Sequence, residues 1–279
     1  MPYYGYVNGR IEPVDQIGVG VTDLGLLRGY GLFDYFLTYG GKPFQWDYYW
    51  ARFQKSAERM NLPLPLTQAE TYPILIDLLA RSGQPDVAFR FVMTGGYAPD
   101  SISIVTPNLL MLTEPIHPVP DWQYERGIRV MLDEYVREMA EIKSTDYKRV
   151  MLLTDAIKAA GAQDVLYHKD GEISELSRSN IFLVTGNRLI TPNRNILYGV
   201  TRRTILALAE SDFQIEERPV LLSDLYEADE VFTTSTNKKV LPIVQIGDFQ
   251  IADGRVGPVS KQLLARFVAF TQEVPRAWV

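Results

Sequence analysis

Glu175 stands inside a strand-like run, GEISELSRSNIFLV (171–184). A carboxylate is a poor strand former and is costly to bury unless something pairs with it. Lys143, in EMAEIKSTDYKR, follows Ile142 at what reads as the junction of a strand and a helix. A lysine held among apolar neighbours gives up its proton more readily and can serve as a Schiff-base nucleophile. In GVTRRTIL a helix opens just after Gly199 with Thr201 at its start. The backbone N–H groups there, with the positive end of the helix dipole, make an anion seat. In TTSTN (233–237) hydroxyl residues directly follow an apolar strand, where hydroxyls and backbone N–H groups can hold phosphate oxygens. Arg52, on a helix with a mixed aromatic face, carries the fork best suited to phosphate.

Taken singly, each feature has an ordinary alternative. Glu175 can face solvent from an edge strand, GVTRR can be a plain capped helix and TTSTN a polar loop. Arg52 and Lys143 can be solvated surface charges. Taken together, they suggest pyridoxal 5′-phosphate. That cofactor needs a lysine for its aldehyde, an anion hole for its phosphate and an acid partner for its pyridine nitrogen. Glu175 would then face a pyridinium.

The bulk numbers narrow the class. A chain of 279 residues is long enough for two domains, and 46% hydrophobic with 22% charged residues is ordinary for a globular protein. The net charge of −6 argues against a general nucleic-acid or anionic-membrane binder. The absence of cysteine excludes disulfides, thiolate catalysis and thiolate metal sites. The only histidines, His117 and His168, are too few for a His-based metal centre, so no metal is expected. No run has the length of a membrane helix and the N-terminus lacks signal-peptide anatomy, so a cytoplasmic protein is expected.

The elements that must position these residues read as follows. Asn8-Gly9 and Gly40-Gly41 mark hairpins. DYYWARFQKSAERMNL is helical with Asp47 as its N-cap, residues 68–82 form a second helix with Pro73 near its start, and DVAFRFVMTGG and NLLMLTEP are strands. The proline-rich stretch TEPIHPVPDW divides an N-terminal domain, 1–115, from a C-terminal domain, 123–279, with 116–122 as linker. The second half opens with the strand GIRVMLDEYVRE, continues with a helix over about 147–160 closed by Gly161, and then alternates strands with the turns Asp170-Gly171 and Gly186-Asn187. The helix TRRTILALAES, the strand EVF and an amphipathic C-terminal helix complete it. Strands joined by hairpins favour two α+β domains over a doubly wound parallel sheet.

The chain resembles the fold type IV pyridoxal-phosphate enzymes, the group of branched-chain aminotransferases, D-amino acid aminotransferases and 4-amino-4-deoxychorismate lyases. The resemblance rests on IKSTDY, AGAQDVLYHKDGEISELSRSNIFLV, LYGVTRRTIL, ADEVFTTSTNKKVLPI and GRVGPVSKQL, in that order along nearly the whole chain. It implies that Lys143 is the Schiff-base lysine and that Glu175 pairs with the pyridine nitrogen. It implies phosphate contacts from Arg52, Val200, Thr201, Ser235 and Thr236, and a place for Tyr147 beside the cofactor's phenolic oxygen. It also implies two α+β domains of the D-amino acid aminotransferase-like fold, with the cofactor in the interdomain cleft, and a homodimer whose partner contributes to the substrate pocket.

Departures fall mostly around the substrate. RGYGLFDY places Tyr30, Asp34 and Tyr35 where the family often has an acid, a glutamate and a threonine. Asp146 replaces a usual asparagine, GGYAPDSIS lacks the Arg-x-His pair of D-amino acid aminotransferases, and TNKK replaces small and acidic residues after the phosphate turn. The expected activity is transfer of an amino group from a branched-chain amino acid to a 2-oxo acid by a ping-pong route, with Tyr30, Phe33, Tyr35 and Arg90 lining the side-chain pocket. The alternatives are an aminodeoxychorismate-lyase-like β-elimination, which Tyr147 counts against, and a non-catalytic cofactor-binding protein, which the intact Lys143 and Glu175 count against.

Overall fold

The computed structural model describes residues 3–104 and 106–273. The outermost ends of the expected domains, 1–2 and 274–279, lie outside the described residues. Two compact units emerge. The first takes in the described chain up to Ile116, the segment Ile142–Asp146 and the last described residues from Thr271. The second comprises His117–Glu141 and Tyr147–Phe270. Just after the chain's midpoint, it therefore returns to the first unit for the five residues that include Lys143.

The first unit contains β1 (Tyr4–Val7), β2 (Arg10–Pro13), α1 (Leu24–Arg28), β3 (Gly31–Tyr39), β4 (Lys42–Pro43), α2 (Trp46–Arg59), α3 (Gln68–Ser82), β5 (Ala88–Tyr97) and β6 (Thr106–Glu114). Its antiparallel six-stranded sheet has the order β2-β1-β6-β5-β3-β4. The β1–β2 hairpin closes as expected on Asn8-Gly9, with φ of 45° and 95°; both central residues of such a turn need positive φ. Strand alternation gives the sheet two faces. Phe36, Phe89 and Phe91 point one way and are buried, with Phe36 5.6 Å from the Trp46 ring and 5.2 Å from that of Tyr49 on α2. Phe33, Tyr35, Arg90 and Val92 point the other way and are only half-buried.

Helix α3 begins at a capping box: Glu70 N donates to Thr67 Oγ1 at 3.3 Å, and Thr67 N to Glu70 Oε2 at 2.8 Å. Pro73 sits in its second turn, where it forfeits one intrahelical donor close to the helix start. Helix α2 departs from expectation at its start. Gln45, at φ 51°, is the N-cap, and Asp47 lies within the first turn, where its charge still favours the dipole.

The second unit contains α4 (Asp121–Arg126), β7 (Ile128–Glu134), α5 (Lys148–Leu152), α6 (Thr154–Ala159), β8 (Asp164–Lys169), β9 (Glu172–Leu176), β10 (Asn180–Thr185), β11 (Arg188–Thr191), α7 (Val200–Ala209), β12 (Gln214–Glu217), β13 (Val220–Leu221), β14 (Glu230–Ser235), β15 (Lys239–Ile246), β16 (Phe249–Gln250) and α8, which runs Pro258–Glu273. Nine strands follow the order β12-β11-β10-β14-β15-β7-β8-β9-β13, and β16 pairs with β15. The expected hairpins at Asp170-Gly171 and Gly186-Asn187 join β8 to β9 and β10 to β11. Hairpins are not the whole connectivity, however. The pairs β11–β12, β15–β7 and β7–β8 are parallel, each joined through longer connections. The helix expected over 147–160 is broken at Leu153 into α5 and α6, and the stretch expected as linker already turns helical at Asp121. Ile128, Val130, Leu166, Ile173, Leu176, Ile181, Leu183 and Val231 pack the core of this sheet.

Candidate active site

Lys143 lies between β7 and α5, as expected, but its backbone is held by the first unit. Phe33 N donates to Lys143 O at 2.8 Å, Thr145 N donates to Gly31 O at 3.0 Å, and Leu32 and Ser144 form an antiparallel bridge. Ile142, 1% exposed, anchors the segment. The lysine side chain then lies over an aromatic: Nζ is 4.5 Å from the Phe33 ring centroid.

The same face carries the expected pocket residues Phe33, Tyr35 and Arg90. Tyr35 and Arg90 are directly opposite in the β3–β5 register, and the Arg90 guanidinium carbon lies 5.1 Å from the Tyr35 ring and 5.7 Å from that of Phe33. Glu114 grips that guanidinium with both oxygens. Tyr30 does not join them. It precedes β3 by one residue, and its hydroxyl donates to Met60 O at 2.5 Å at the end of α2; burial pushes its pKa up. Arg52 also belongs to the α2 side. Its Nε and Nη2 hold the two oxygens of buried Asp34 at 3.0 and 2.6 Å, so the residue that replaces the family's glutamate is this arginine's orienting partner.

In the second unit Glu175 is 4% exposed, which settles the solvent-facing alternative against it. Its Oε1 accepts from Arg137 Nε at 2.8 Å, and its Oε2 accepts from Leu197 N at 3.0 Å. Arg137 also donates to Ala140 O at 2.5 Å. Burial alone would lower the pKa of Arg137, but the charge and hydrogen bond of Glu175 outweigh it and hold the pKa above the ordinary value. A carboxylate so paired stays ionised. Sequence reasoning missed Arg137, because one arginine in YVREMAE looks like any exposed charge. Tyr147 stands at the start of α5, within electrostatic range of Arg137.

Helix α7 opens at Gly199 with no side-chain cap among the described residues, and Val200 and Thr201 are buried in its first turn. A Cβ at Gly199 would come within 2.2 Å of Asn180 Oδ1, so any larger residue there would have to displace the Asn180 side chain. Asn180 in turn donates to Leu197 O at 2.8 Å, and buried Arg202 braces the helix on Pro192 O at 2.9 Å and Glu217 at 2.7 Å.

Ser235 ends β14 and Thr236 begins the turn to β15, where Lys238 N donates to Ser235 Oγ at 3.3 Å. The turn is held by an ion pair that sequence reasoning did not anticipate. Lys238 Nζ bonds buried Asp164 and also donates to Ser179 Oγ at 3.0 Å, and Ser177 Oγ donates to Asp164 at 2.5 Å. Thr234, 1% exposed, has a hydroxyl with no hydrogen-bond partner among the described residues.

These donors suit pyridoxal 5′-phosphate. The first unit offers a lysine amine; the second offers a buried carboxylate paired with an arginine, an uncapped helix start, and a hydroxyl turn preceded in β14 by Thr234, whose hydroxyl has no partner among the described residues.

Comparison with known proteins identifies the class. The amino-transferase class IV family pattern matches residues 31–246, so the chain belongs to that family, whose members use pyridoxal 5′-phosphate. The chain is 29% identical over 269 residues to the D-alanine aminotransferase of Staphylococcus haemolyticus, covering 94% of this chain and 95% of that one. It is also 29% identical over 271 residues to a provisionally assigned branched-chain-amino-acid aminotransferase of Methanocaldococcus jannaschii, covering 94% of both. Its fold matches that of the T.th. branched-chain amino acid aminotransferase with pyridoxamine 5′-phosphate, at a TM-score of 0.90, 21% identity and coverage of 97% and 94%. The fold is thus the two-domain α+β fold of the type IV enzymes.

Proposed function

We propose that this class IV aminotransferase moves the amino group of a branched-chain amino acid to a 2-oxo acid, in two half-reactions at one site. The observation that carries the reading is the half-buried face on which Phe33, Tyr35, Val92, Leu110 and Leu112 surround a neutralised arginine, with Lys143 Nζ 4.5 Å from the Phe33 ring. Apolar surface beside the reacting amine favours an apolar side chain. The carboxylate of an acidic acceptor would find Arg90 on the same face.

When bound, the cofactor supplies an aldehyde for a lysine amine and a ring that takes up the electrons of the breaking Cα–H bond. The protein does the rest. Lys143 Nζ would be the amine that takes the cofactor's aldehyde and, once freed by the substrate amine, the base for the proton on the substrate's Cα. Glu175 would hold a proton on the pyridine nitrogen, with Arg137 as the charge partner that favours its ionised form. The backbone donors at Val200 and Thr201, with Ser235, Thr236 and Arg52, would hold the phosphate. Tyr147 would donate to the phenolic oxygen. The assembly is a homodimer in the cytoplasm, with a partner subunit closing the substrate pocket.

A second reading, transfer from a D-amino acid, is favoured by the D-alanine aminotransferases among the relatives. The absence of an Arg-x-His pair in GGYAPDSIS counts against it. A panel of L- and D-amino donors with several 2-oxo acids, run beside aminodeoxychorismate, decides. Turnover fastest with L-leucine, L-isoleucine or L-valine supports the proposal. Preference for D-alanine, or release of pyruvate from aminodeoxychorismate, overturns it.

A further inference from the structure

The expected pocket residue Arg90 is already engaged. Its Nε and Nη2 meet Glu114 Oε1 and Oε2 at 2.5 and 3.0 Å, a bidentate pair of the kind a ligand carboxylate would make. The sheet register explains the match. Arg90 lies opposite Leu112 and Ala88 opposite Glu114, so Glu114 is the diagonal neighbour of Arg90 on one face, within reach of two long side chains. The Phe33 and Tyr35 rings lie 5.7 and 5.1 Å from the guanidinium carbon. The rest of the face, Val92, Leu110 and Leu112, is apolar and half-buried.

We propose that Glu114 is a specificity-determining residue, a resident carboxylate that holds Arg90 and biases the site towards substrates with apolar side chains over dicarboxylates. The proposal rests on the reading above that this face receives the substrate. A ligand with an isobutyl-like tail meets aromatic and aliphatic surface and leaves the ion pair intact. A ligand with a second carboxylate must displace Glu114 from Arg90 or lie beside it, and either way it meets the repulsion of a like charge. The side chains of Arg90 and Glu114 are 36% and 25% exposed, and pairs that wet are weak. Glu114 therefore discriminates without excluding, and an acidic acceptor enters by exchange.

The test uses the holoenzyme and two probes of similar length, 4-methylvalerate and glutarate, each titrated against the absorbance of the bound cofactor. Glu114→Gln keeps the shape and removes the charge. It should raise the ratio of glutarate to 4-methylvalerate affinity about tenfold, and adding Arg90→Gln should cancel that gain. A ratio within twofold of wild type in Glu114→Gln overturns the proposal, as does a gain that persists without Arg90. Phe33→Ala tests the underlying reading separately. If it leaves both affinities at wild type, the face does not take the ligand, and both readings fall. If it weakens 4-methylvalerate while Glu114→Gln leaves the ratio unmoved, only the role of Glu114 falls.

Discussion

Arg137 and Glu175 form a buried ion pair, with side chains 14% and 5% exposed and Nε 2.8 Å from Oε1. Removing one partner of such a pair costs about 3–5 kcal/mol, because the other charge is left buried. Arg137→Met should destabilise the second unit by that order in urea unfolding. Burial would then raise the folded pKa of Glu175 above its unfolded value, so the folded state would hold the proton to higher pH. The variant's stability should therefore fall as pH rises from about 4, the unfolded glutamate value. Adding Glu175→Gln should recover most of the loss; a double variant no more stable than Arg137→Met would show that the pair is not the cause.

Glu175→Gln alone should retain the cofactor and lose most of the transamination. An amide cannot hold a proton on the pyridine nitrogen as a carboxylate does. Loss of such a charge partner costs on the order of 3 kcal/mol, about a hundredfold in rate. Turnover near wild type in a steady-state assay would mean that Glu175 has only the structural role of pairing with Arg137.

The proposed phosphate contacts can be tested by comparing pyridoxamine 5′-phosphate with pyridoxamine. Arg52→Ala should weaken the phosphorylated ligand by about 1.5–3 kcal/mol, the range for hydrogen bonds to charged groups. Pyridoxamine should be much less affected, a control that matters because Arg52 also holds Asp34. Thr236→Ala should cost less, since it removes one hydroxyl and keeps the backbone donors. Equal losses for both ligands would assign Arg52 to Asp34 alone.

Asp164 and Lys238 give the enzyme an acid-sensitive tie. Burial would raise the Asp164 pKa, but the charge of Lys238 and the donated hydrogen bonds outweigh it and leave the pKa lowered. A depressed folded pKa gives stability that is present above the unfolded carboxyl value, about 3.9, and lost as pH falls through the folded one. Lys238→Met should cost about 3–5 kcal/mol near pH 7. Lys238→Met with Asp164→Asn should recover part of that and show a flatter decline between about pH 5 and 2 than wild type. An unchanged acid limb in urea unfolding would rule the pair out as its source.

Much of this was legible in the sequence. Asn8-Gly9 and Asp170-Gly171 mark their hairpins because a turn with positive φ admits few residues. The helix expected over 68–82 forms with those bounds, behind a Thr67–Glu70 capping box seen in the structure. What escaped was set by partners distant along the chain. Arg137 meets Glu175 from 38 residues away, and Lys238 meets Asp164 from 74. Nothing near Lys143 shows that its segment pairs with β3. The parallel strand pairs escaped for the same reason, since no local signal states which strand lies beside which. The bond from the Tyr30 hydroxyl to Met60 O, 30 residues on, likewise had no local signal.

The central claim is that Lys143 carries the cofactor, and reduction with borohydride tests it most directly. The purified protein supplied with pyridoxal 5′-phosphate should be yellow, should lose that absorbance on reduction, and should yield one labelled peptide containing Lys143 by mass spectrometry. Label on another lysine, or no reducible chromophore with cofactor in excess, would contradict the account.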